Sequence, residues 1–219
     1  MNEFVVHTIP GSPCARAVLA TLEEKCAPYR IAPLVPGQHK APEHLRRHPF
    51  GRMPAIEHGD FLLYETQAIL RYIERVMPTP ALSPPDPQAL ARMDQLMNVS
   101  DWYLFQGVGN VIVFQRVIGP RLLGLPPDES AIAAALPRAH VVFAELARLL
   151  GEKPFFVGDL VSLADLMLAS HLDLFSTIPE WDELTAERPA LRNWLARMNS
   201  RPSMVRTTWE RVASVAKAA

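Results

Sequence analysis

The first side chains that could do chemistry lie near the N-terminus, within residues 10–16 (PGSPCAR). Ser12 and Cys14 stand where a short apolar run gives way to helical spacing, which places both at the start of a predicted helix. Main-chain N–H groups there stabilise a nearby anion, and a hydroxyl or thiol faces the same field. The structural alternative makes Ser12 a helix cap and Cys14 a small buried apolar residue. This segment on its own favours the structural alternative.

Glu65 and Thr66 stand at the start of another helical pattern, over residues 66–76. In one interpretation they cap this helix by accepting hydrogen bonds from its first N–H groups. In the other, Glu65 binds an ammonium group and the helix N-terminus binds a carboxylate, which suits a ligand that carries both. Both interpretations stay open on these residues alone.

Two further segments between these helices could contact a ligand. If the Met53–Pro54 bond is cis, the main-chain groups of Met53 turn outward, where they can pair with an extended ligand as a strand does. The alternative is a trans proline that begins an edge strand. The cation pair His39–Lys40 could bind a carboxylate, although such pairs usually belong to solvated turns.

A metal site is not expected. His44 and His48 are four residues apart and could share a helix face, with His39 nearby. Zinc needs three or four ligands in a set geometry, however, and the sequence offers no matching carboxylate or Cys partner. The chain also lacks a Gly-rich phosphate loop, and Cys14 has no second Cys three residues away for a dithiol redox pair.

Composition excludes several classes of protein. Of the 219 residues 49% are hydrophobic and 21% charged, and the net charge is −1, so an ordinary soluble globule is expected. Such a balance predicts no partnership with nucleic acid or with an acidic membrane surface. Two cysteines fit a reducing, cytoplasmic setting. No stretch is expected to span a membrane, and the N-terminus does not resemble a signal peptide.

A proline-rich stretch divides the chain. Half of residues 78–87 are proline, which rules out a helix or a central strand and indicates a linker. Before it, the patterns predict the order β-α-β-α-β-β-α, with parallel strands at the start and a tight hairpin at residues 58–60. After it, five helical stretches predict an all-α bundle. We therefore expect one domain over residues 1–78, a linker over 79–87 and a second domain over 88–219.

Taken together, these segments resemble the cytosolic glutathione S-transferase family over nearly the whole chain. Four motifs carry the resemblance in family order: the first-helix pattern at residues 12–25, HPFGRMP at 48–54, DFLLYETQAI at 60–69 and the capping motif GDLVSLAD at 158–165. The family implies a thioredoxin-like α/β domain followed by an all-helical domain. The N-terminal pattern is similar to bacterial Ser-type members of the phi, theta or zeta classes.

The resemblance implies a glutathione transferase, with glutathione as co-substrate and Ser12 as the catalytic hydroxyl that stabilises its thiolate. It also implies a set of glutathione-binding residues: His39, Lys40, Arg52, Met53, Pro54, Glu65 and Thr66. Glu65 and Thr66 would hold the γ-glutamyl end. The Met53 backbone would pair with the cysteinyl part, and Lys40 with His39 would bind the glycine carboxylate.

The implied partners are a small hydrophobic electrophile, held in an apolar pocket of the helical domain, and a second copy of the chain in a homodimer. The implied setting is cytoplasmic detoxification. Three alternatives stay open: a glutathione-dependent isomerase of the maleylacetoacetate type, a thiol transferase or dehalogenase that uses Cys14, and a non-catalytic binding protein with the same fold. Retention of Ser12, Glu65 and Thr66 favours an enzyme over the non-catalytic binding protein.

Overall fold

The computed structural model describes residues 2–218, with side chains described as far as Val215. It divides into two compact units, Met1–Leu82 with Ser200–Ala219 and Ser83–Asn199. The elements follow in this order: β1 (Phe4–Thr8), α1 (Pro13–Glu24), β2 (Tyr29–Pro33), a 3-10 turn (Gln38–Lys40), α2 (Pro42–Arg47), β3 (Ala55–His58), β4 (Phe61–Tyr64), α3 (Thr66–Val76), α4 (Pro87–Asn98), a π-helical stretch (Val99–Gly109), α5 (Asn110–Val113), a second π-helical stretch (Phe114–Leu123), α6 (Glu129–Leu150), α7 (Leu163–Phe175), α8 (Glu180–Thr185), α9 (Pro189–Asn199), α10 (Pro202–Arg206) and α11 (Trp209–Ala218).

The strands of the first unit form one sheet in the order β2-β1-β3-β4. β1 and β2 run parallel, with Phe4 opposite Tyr29, so the predicted parallel start is confirmed. β3 pairs antiparallel with both β1 and β4, and Ala55 lies opposite His7 on one side and Tyr64 on the other. This register brings the end of β1, the start of β3 and the end of β4 to the same end of the sheet.

The helices of the first unit bury apolar side chains at helical spacing. Val18 of α1 and Ile73 of α3 are fully buried, as are Phe4 and Ile56 in the sheet. Because α1 and α3 pack on one another, this core fixes the position of the helix starts that follow β1 and β4. The predicted thioredoxin-like α/β architecture is confirmed.

The second unit is helical, and the predicted all-α bundle is confirmed. α7 is its central helix, because almost every residue from Leu163 to Leu172 is buried. Two details differ from the expectation. The helix expected over residues 88–118 continues through two π-helical stretches to Leu123, and the short α8 has no clear periodic signal in the sequence.

The buried carboxylate of Asp165 caps the N-terminus of α7. The Oδ2 of Asp165 accepts hydrogen bonds from the Ser162 N–H (3.0 Å) and Ser162 hydroxyl (2.6 Å). Its Oδ1 accepts from the Phe156 N–H (2.9 Å) and from the Trp194 indole (3.0 Å), so one side chain joins α7, α9 and the preceding loop. The capping motif in the sequence therefore marks a structural centre of this unit.

We expect Asp165→Asn to lower the free energy of unfolding by about 2–3 kcal/mol, because the new NH₂ group faces donors in place of an acceptor. Denaturant titration measures the loss. The control is Asp159→Asn at an exposed position of the same loop, expected to change stability by less than about 0.5 kcal/mol. Equal losses in both variants would contradict the prediction.

One helix bears on the expectation that no stretch spans a membrane. Among residues 2–218, α6 alone is long and apolar enough by length and composition: it has 22 residues, and an 18-residue window within it has a mean hydropathy of 1.2. A core helix of a helical bundle passes the same test. Here α6 buries Phe143, Leu146 and Leu150 and packs on α5, α8 and α9, which favours the bundle interpretation.

The C-terminal residues differ from the expected division of the chain. The single helix predicted over 202–215 is two helices, α10 and α11, interrupted at Thr207 and Thr208. Both belong to the first unit: α10 packs along α1 and α11 packs against β2. The expected second domain, residues 88–219, therefore contains a final segment that joins the first unit in the structure. Sequence composition carries no signal for this return.

Candidate functional site

Three loops gather at one end of the sheet of the first unit. The loop after β1 carries Ser12, the segment before β3 carries Met53 and Pro54, and the segment after β4 carries Glu65. They meet because β3 pairs with β1 on one side and with β4 on the other, with Ala55 opposite Tyr64. The sheet register therefore brings together residues that lie about fifty positions apart in the sequence.

Ser12 is the N-cap of α1. It has extended backbone angles, and its hydroxyl oxygen accepts a hydrogen bond of 3.2 Å from the Ala15 N–H. A hydroxyl carries one proton and two lone pairs, so this bond leaves the proton available to donate. Capping and anion stabilisation are therefore compatible at Ser12, although the sequence presented them as alternatives.

Cys14 is the second residue of α1 and is buried, with 8% of its surface exposed. A thiol must reach its partner sulfur to form a mixed disulfide, and little of this side chain is accessible. The half-buried Ser12 is more accessible than Cys14. The geometry therefore favours Ser12 as the group that meets a ligand at this helix start.

Glu65 has an unusual backbone conformation. Its φ of +73° lies where L-residues other than glycine are strained, at a cost of about 1–3 kcal/mol. It precedes α3 as the N-cap residue, yet its side chain makes no capping hydrogen bond and is exposed. The capping interpretation is therefore wrong for the Glu65 side chain. Thr66 follows as the first residue of α3 and is buried.

The Met53–Pro54 peptide bond is cis, the alternative that the sequence had left open. β3 begins directly afterwards at Ala55, so the Met53 backbone lies just outside the sheet ladder. Within residues 2–218, the main-chain N–H and C=O of Met53 take part in no described hydrogen bond. Such a pair of free main-chain groups beside a strand can bind an extended peptide.

His44 supports the segment that carries Arg52 and Met53, a role that the sequence did not indicate. It is almost fully buried, and its Nε2 lies 2.7 Å from the Arg52 carbonyl, which precedes Met53. His48 is also buried and its ring lies on Tyr64, with centroids 4.7 Å apart. Both histidines therefore support the loop. Among the described residues, no group of three or more His, Cys, Asp or Glu side chains is arranged to hold a metal ion.

His39 and Lys40 lie in the 3-10 turn before α2. Burial lowers the pKa of His39, and the neighbouring Lys40 and His44 lower it further, so His39 is neutral near pH 7. Lys40 is exposed, and its Nζ reaches within 3.5 Å of the Phe50 carbonyl, close to Gly51. Lys40 therefore supplies positive charge beside the segment that leads to Met53. Arg52 is exposed in that same segment.

Comparison with known proteins identifies one family. The family model for the glutathione S-transferase N-terminal domain matches residues 3–75, and that for the C-terminal domain matches residues 129–197. The probable glutathione S-transferase GSTF2 of Oryza sativa subsp. japonica is 33% identical over 201 residues, which is 91% of this chain and 90% of the relative. Glutathione transferase F7 from Populus trichocarpa has a TM-score of 0.84 at 27% identity, covering 97% of this chain and 98% of its own. A glutathione S-transferase-I structure bound with lactoylglutathione has a TM-score of 0.81 at 28% identity, covering 97% and 99%. Fold, motifs and relatives agree, and the chain belongs to the glutathione S-transferase family.

Proposed function

We propose that this glutathione transferase joins glutathione to a small hydrophobic electrophile by means of a thiolate that Ser12 stabilises. The observation that carries the proposal is the geometry of Ser12: its oxygen caps α1 while its proton remains available to donate. The glutathione sulfur accepts that hydrogen bond at the N-terminus of a 12-residue helix. The thiol proton is released to solvent, and the thiolate sulfur forms a bond to the electrophile, whose leaving group departs with its electron pair.

The energies are of the required size. A free thiol has a pKa of roughly 8.5, so little of it is ionised at neutral pH. Lowering that pKa by about two units requires roughly 2.7 kcal/mol of preferential thiolate stabilisation. A hydrogen bond to a charged group contributes about 1.5–3 kcal/mol, and a helix N-terminus adds about 0.3–1 kcal/mol. Ser12 and α1 together therefore suffice.

Charge complementarity supports glutathione at this end of the sheet. The exposed Glu65 carboxylate suits the ammonium group of the γ-glutamyl end, while Thr66 and the N-terminus of α3 suit its carboxylate. The unpaired main-chain groups of Met53, beside Pro54, suit the cysteinyl peptide unit. With the γ-glutamyl end at Glu65 and the cysteinyl backbone at Met53, the cysteinyl side chain would place its sulfur near Ser12.

The glycine end requires a cation. Lys40 fills this role, since His39 is neutral near pH 7 and can contribute only a hydrogen bond. Arg52 is exposed in the next segment and adds positive charge nearby. The proposed binding set thus contains both signs of charge in the order that the tripeptide presents them.

The F-type plant relatives support a phi-like class over the theta-like and zeta-like alternatives. The burial of Cys14 weighs against the thiol transferase or dehalogenase alternative. We place the enzyme in cytoplasmic detoxification, as its relatives' activity and the two cysteines suggest.

We also propose a homodimer. Both units carry large exposed apolar side chains, which include Phe50 (66% exposed) in the first unit and Trp102 (67%) in the second. Scattered exposed residues are normal, but aromatic groups at this exposure suit a surface that a second copy covers. Light scattering at micromolar concentration should give twice the chain mass, and Phe50→Ser should shift it toward the monomer. A monomeric wild type would contradict this proposal.

Retention on immobilised glutathione, followed by turnover of a reactive aryl halide, tests the function. We expect specific elution by free glutathione and formation of the aryl conjugate. Thr177→Ala, a change at an exposed position of the other unit, serves as the control and should behave as wild type. Retention with no turnover of any electrophile would instead favour the non-catalytic binding protein.

A further inference from the structure

The C-terminal segment runs along α1 and reaches the loop that carries Ser12. We call residues 200–215 the C-terminal brace. At the far end of α1, Arg201 contacts Glu24 through two hydrogen bonds of 2.8 Å, and the Ser203 hydroxyl donates to the same carboxylate at 2.6 Å. Burial of Glu24 acts to raise its pKa, but the bonds from Arg201 and Ser203 outweigh this and lower it. Glu24 therefore anchors the start of the brace.

Further along, the Arg16 guanidinium of α1 donates to the Met204 carbonyl at 3.3 Å, and Met204 itself is fully buried. α11 then begins at Trp209 and packs against β2. The C-terminal brace is thus attached to the last turn of α1 through Glu24, to its first turns through Arg16, and to β2 through α11. Its aromatic residue Trp209 reaches Gly11, the neighbour of Ser12 in the loop.

The Trp209 ring lies against the Gly11 backbone, one residue before Ser12. A Cβ atom at Gly11 would lie only 2.4 Å from two carbons of that ring. Gly11 also has a φ of +83°, a conformation that favours glycine. Glycine is therefore required twice at this position, once for the backbone angle and once because the indole fills the space of a side chain.

The loop is held to α1 at Ser12, whose carbonyl accepts from the Arg16 N–H (3.0 Å) and whose hydroxyl accepts from the Ala15 N–H (3.2 Å). On its other side the Ser12 N–H makes only a long contact of 3.5 Å with the Ile9 carbonyl, and within residues 2–218 Gly11 makes no main-chain hydrogen bond. A hydrogen bond to a thiolate weakens steeply when its donor is displaced or misaligned. Displacements of about 1 Å in a catalytic group can reduce rates by large factors. The position of the loop therefore matters for the proposed role of Ser12.

We infer that Trp209 is a positioning residue for catalysis: its ring holds the Gly11–Ser12 backbone where the Ser12 hydroxyl meets the glutathione sulfur. This inference rests on the proposed function of Ser12. Trp209 acts through the loop and leaves the Glu65 and Lys40 positions untouched. Its loss should therefore affect turnover and thiol ionisation more than glutathione binding.

The test compares Trp209→Ala with wild type in full pH profiles of aryl halide conjugation. We expect the acid limb of kcat/KM to move upward by about one pH unit and kcat at pH 6.5 to fall about fivefold. KM for glutathione should change less than about twofold. If Trp209→Ala folds poorly, Trp209→Leu retains apolar bulk without the flat ring and should give a smaller shift in the same direction.

Leu146→Ala is the matched control, because it removes a fully buried side chain from the second unit. It should lower thermal stability without moving the pH profile. A Trp209→Ala profile that coincides with that of Leu146→Ala would overturn the inference. Ser12→Ala distinguishes failure of this inference from failure of the proposed function. If Ser12→Ala shifts the pH profile and Trp209→Ala does not, only the role of Trp209 is wrong. If Ser12→Ala does not shift the profile, the proposed role of Ser12 is wrong.

A double-mutant cycle tests the contact directly. Gly11→Ala should reduce kcat at least tenfold in the wild type, because the new methyl group collides with the indole. In the Trp209→Ala background the collision is absent, so the same change should cost about threefold or less from its backbone angle. Additive effects of the two changes would overturn the proposed contact.

Discussion

Ser12→Ala should reduce aryl halide conjugation about five- to tenfold at pH 6.5 and cause no loss above pH 9. Loss of the hydroxyl donor lets the pKa of bound glutathione rise by about two units toward roughly 8.5, which lowers the thiolate fraction about 50-fold at pH 6.5. The more basic thiolate is intrinsically more nucleophilic, by nearly tenfold over about two units, and offsets part of the loss. At high pH both enzymes hold the thiolate, so the loss disappears and Ser12→Ala, with its more basic thiolate, reacts at least as fast as wild type.

The ultraviolet absorbance of bound thiolate, followed against pH, measures this change directly. Ser12 also caps α1, so a variant that keeps the cap is needed. Ser12→Asp accepts from the helix N–H groups but places a negative charge beside the sulfur, and it should lose at least as much activity as Ser12→Ala while retaining stability. Cys14→Ala should change little. A large loss in Cys14→Ala with none in Ser12→Ala would move the reaction to thiol chemistry.

Local patterns in the sequence predicted the order of the helices and strands, the proline-rich stretch and the helix cap well. Half of residues 78–87 are proline, and the motif that ends at Asp165 has its cap at Ser162, so these features depend on short-range chemistry alone. The β-α-β-α-β-β-α order followed in the same way from apolar spacing. Such patterns predict helices and strands because each element must bury one apolar face, whichever element packs on that face.

The parts that the sequence did not reveal depend on distant contacts. Trp209 meets Gly11 from the other end of the chain, and neither residue signals the other by type or spacing. The sequence offered no role for His44 once ligand number argued against a metal site, and in the structure its ring lies 2.7 Å from the Arg52 carbonyl. The two roles of Ser12 seemed exclusive until the geometry showed that capping uses a lone pair and leaves the proton. Tertiary structure decides these cases.

Glu65 is a case in which local preference and observed conformation conflict. An acidic residue before a helix predicts a cap, yet Glu65 adopts a φ of +73° and its carboxylate makes no cap bond. Strain of this kind persists where the surrounding structure imposes it, and it concentrates at functional sites. The strained backbone at Glu65 presents an exposed carboxylate beside the N-terminus of α3, where the ammonium end of glutathione is proposed to bind.

Glu65→Gly should therefore stabilise the protein and impair its function in one step. Relief of the backbone strain should raise the free energy of unfolding by about 1 kcal/mol, after allowance for the greater flexibility of glycine in the unfolded chain. Loss of the carboxylate removes the partner of the γ-glutamyl ammonium group, so glutathione affinity should fall about 100-fold, equivalent to roughly 2.7 kcal/mol. Thermal denaturation and calorimetric titration measure the two effects.

Glu65→Gln separates charge from strain, because it keeps the side-chain length and the unfavourable φ but removes the negative charge. It should bind glutathione about tenfold or more weakly with stability close to wild type. A Glu65→Gly protein that is less stable than wild type would show that the backbone at this position is unstrained. Affinity retained in both variants would place the ammonium group elsewhere. A gain in stability together with a loss of glutathione affinity in Glu65→Gly is expected only if the strained backbone places the carboxylate against the ligand.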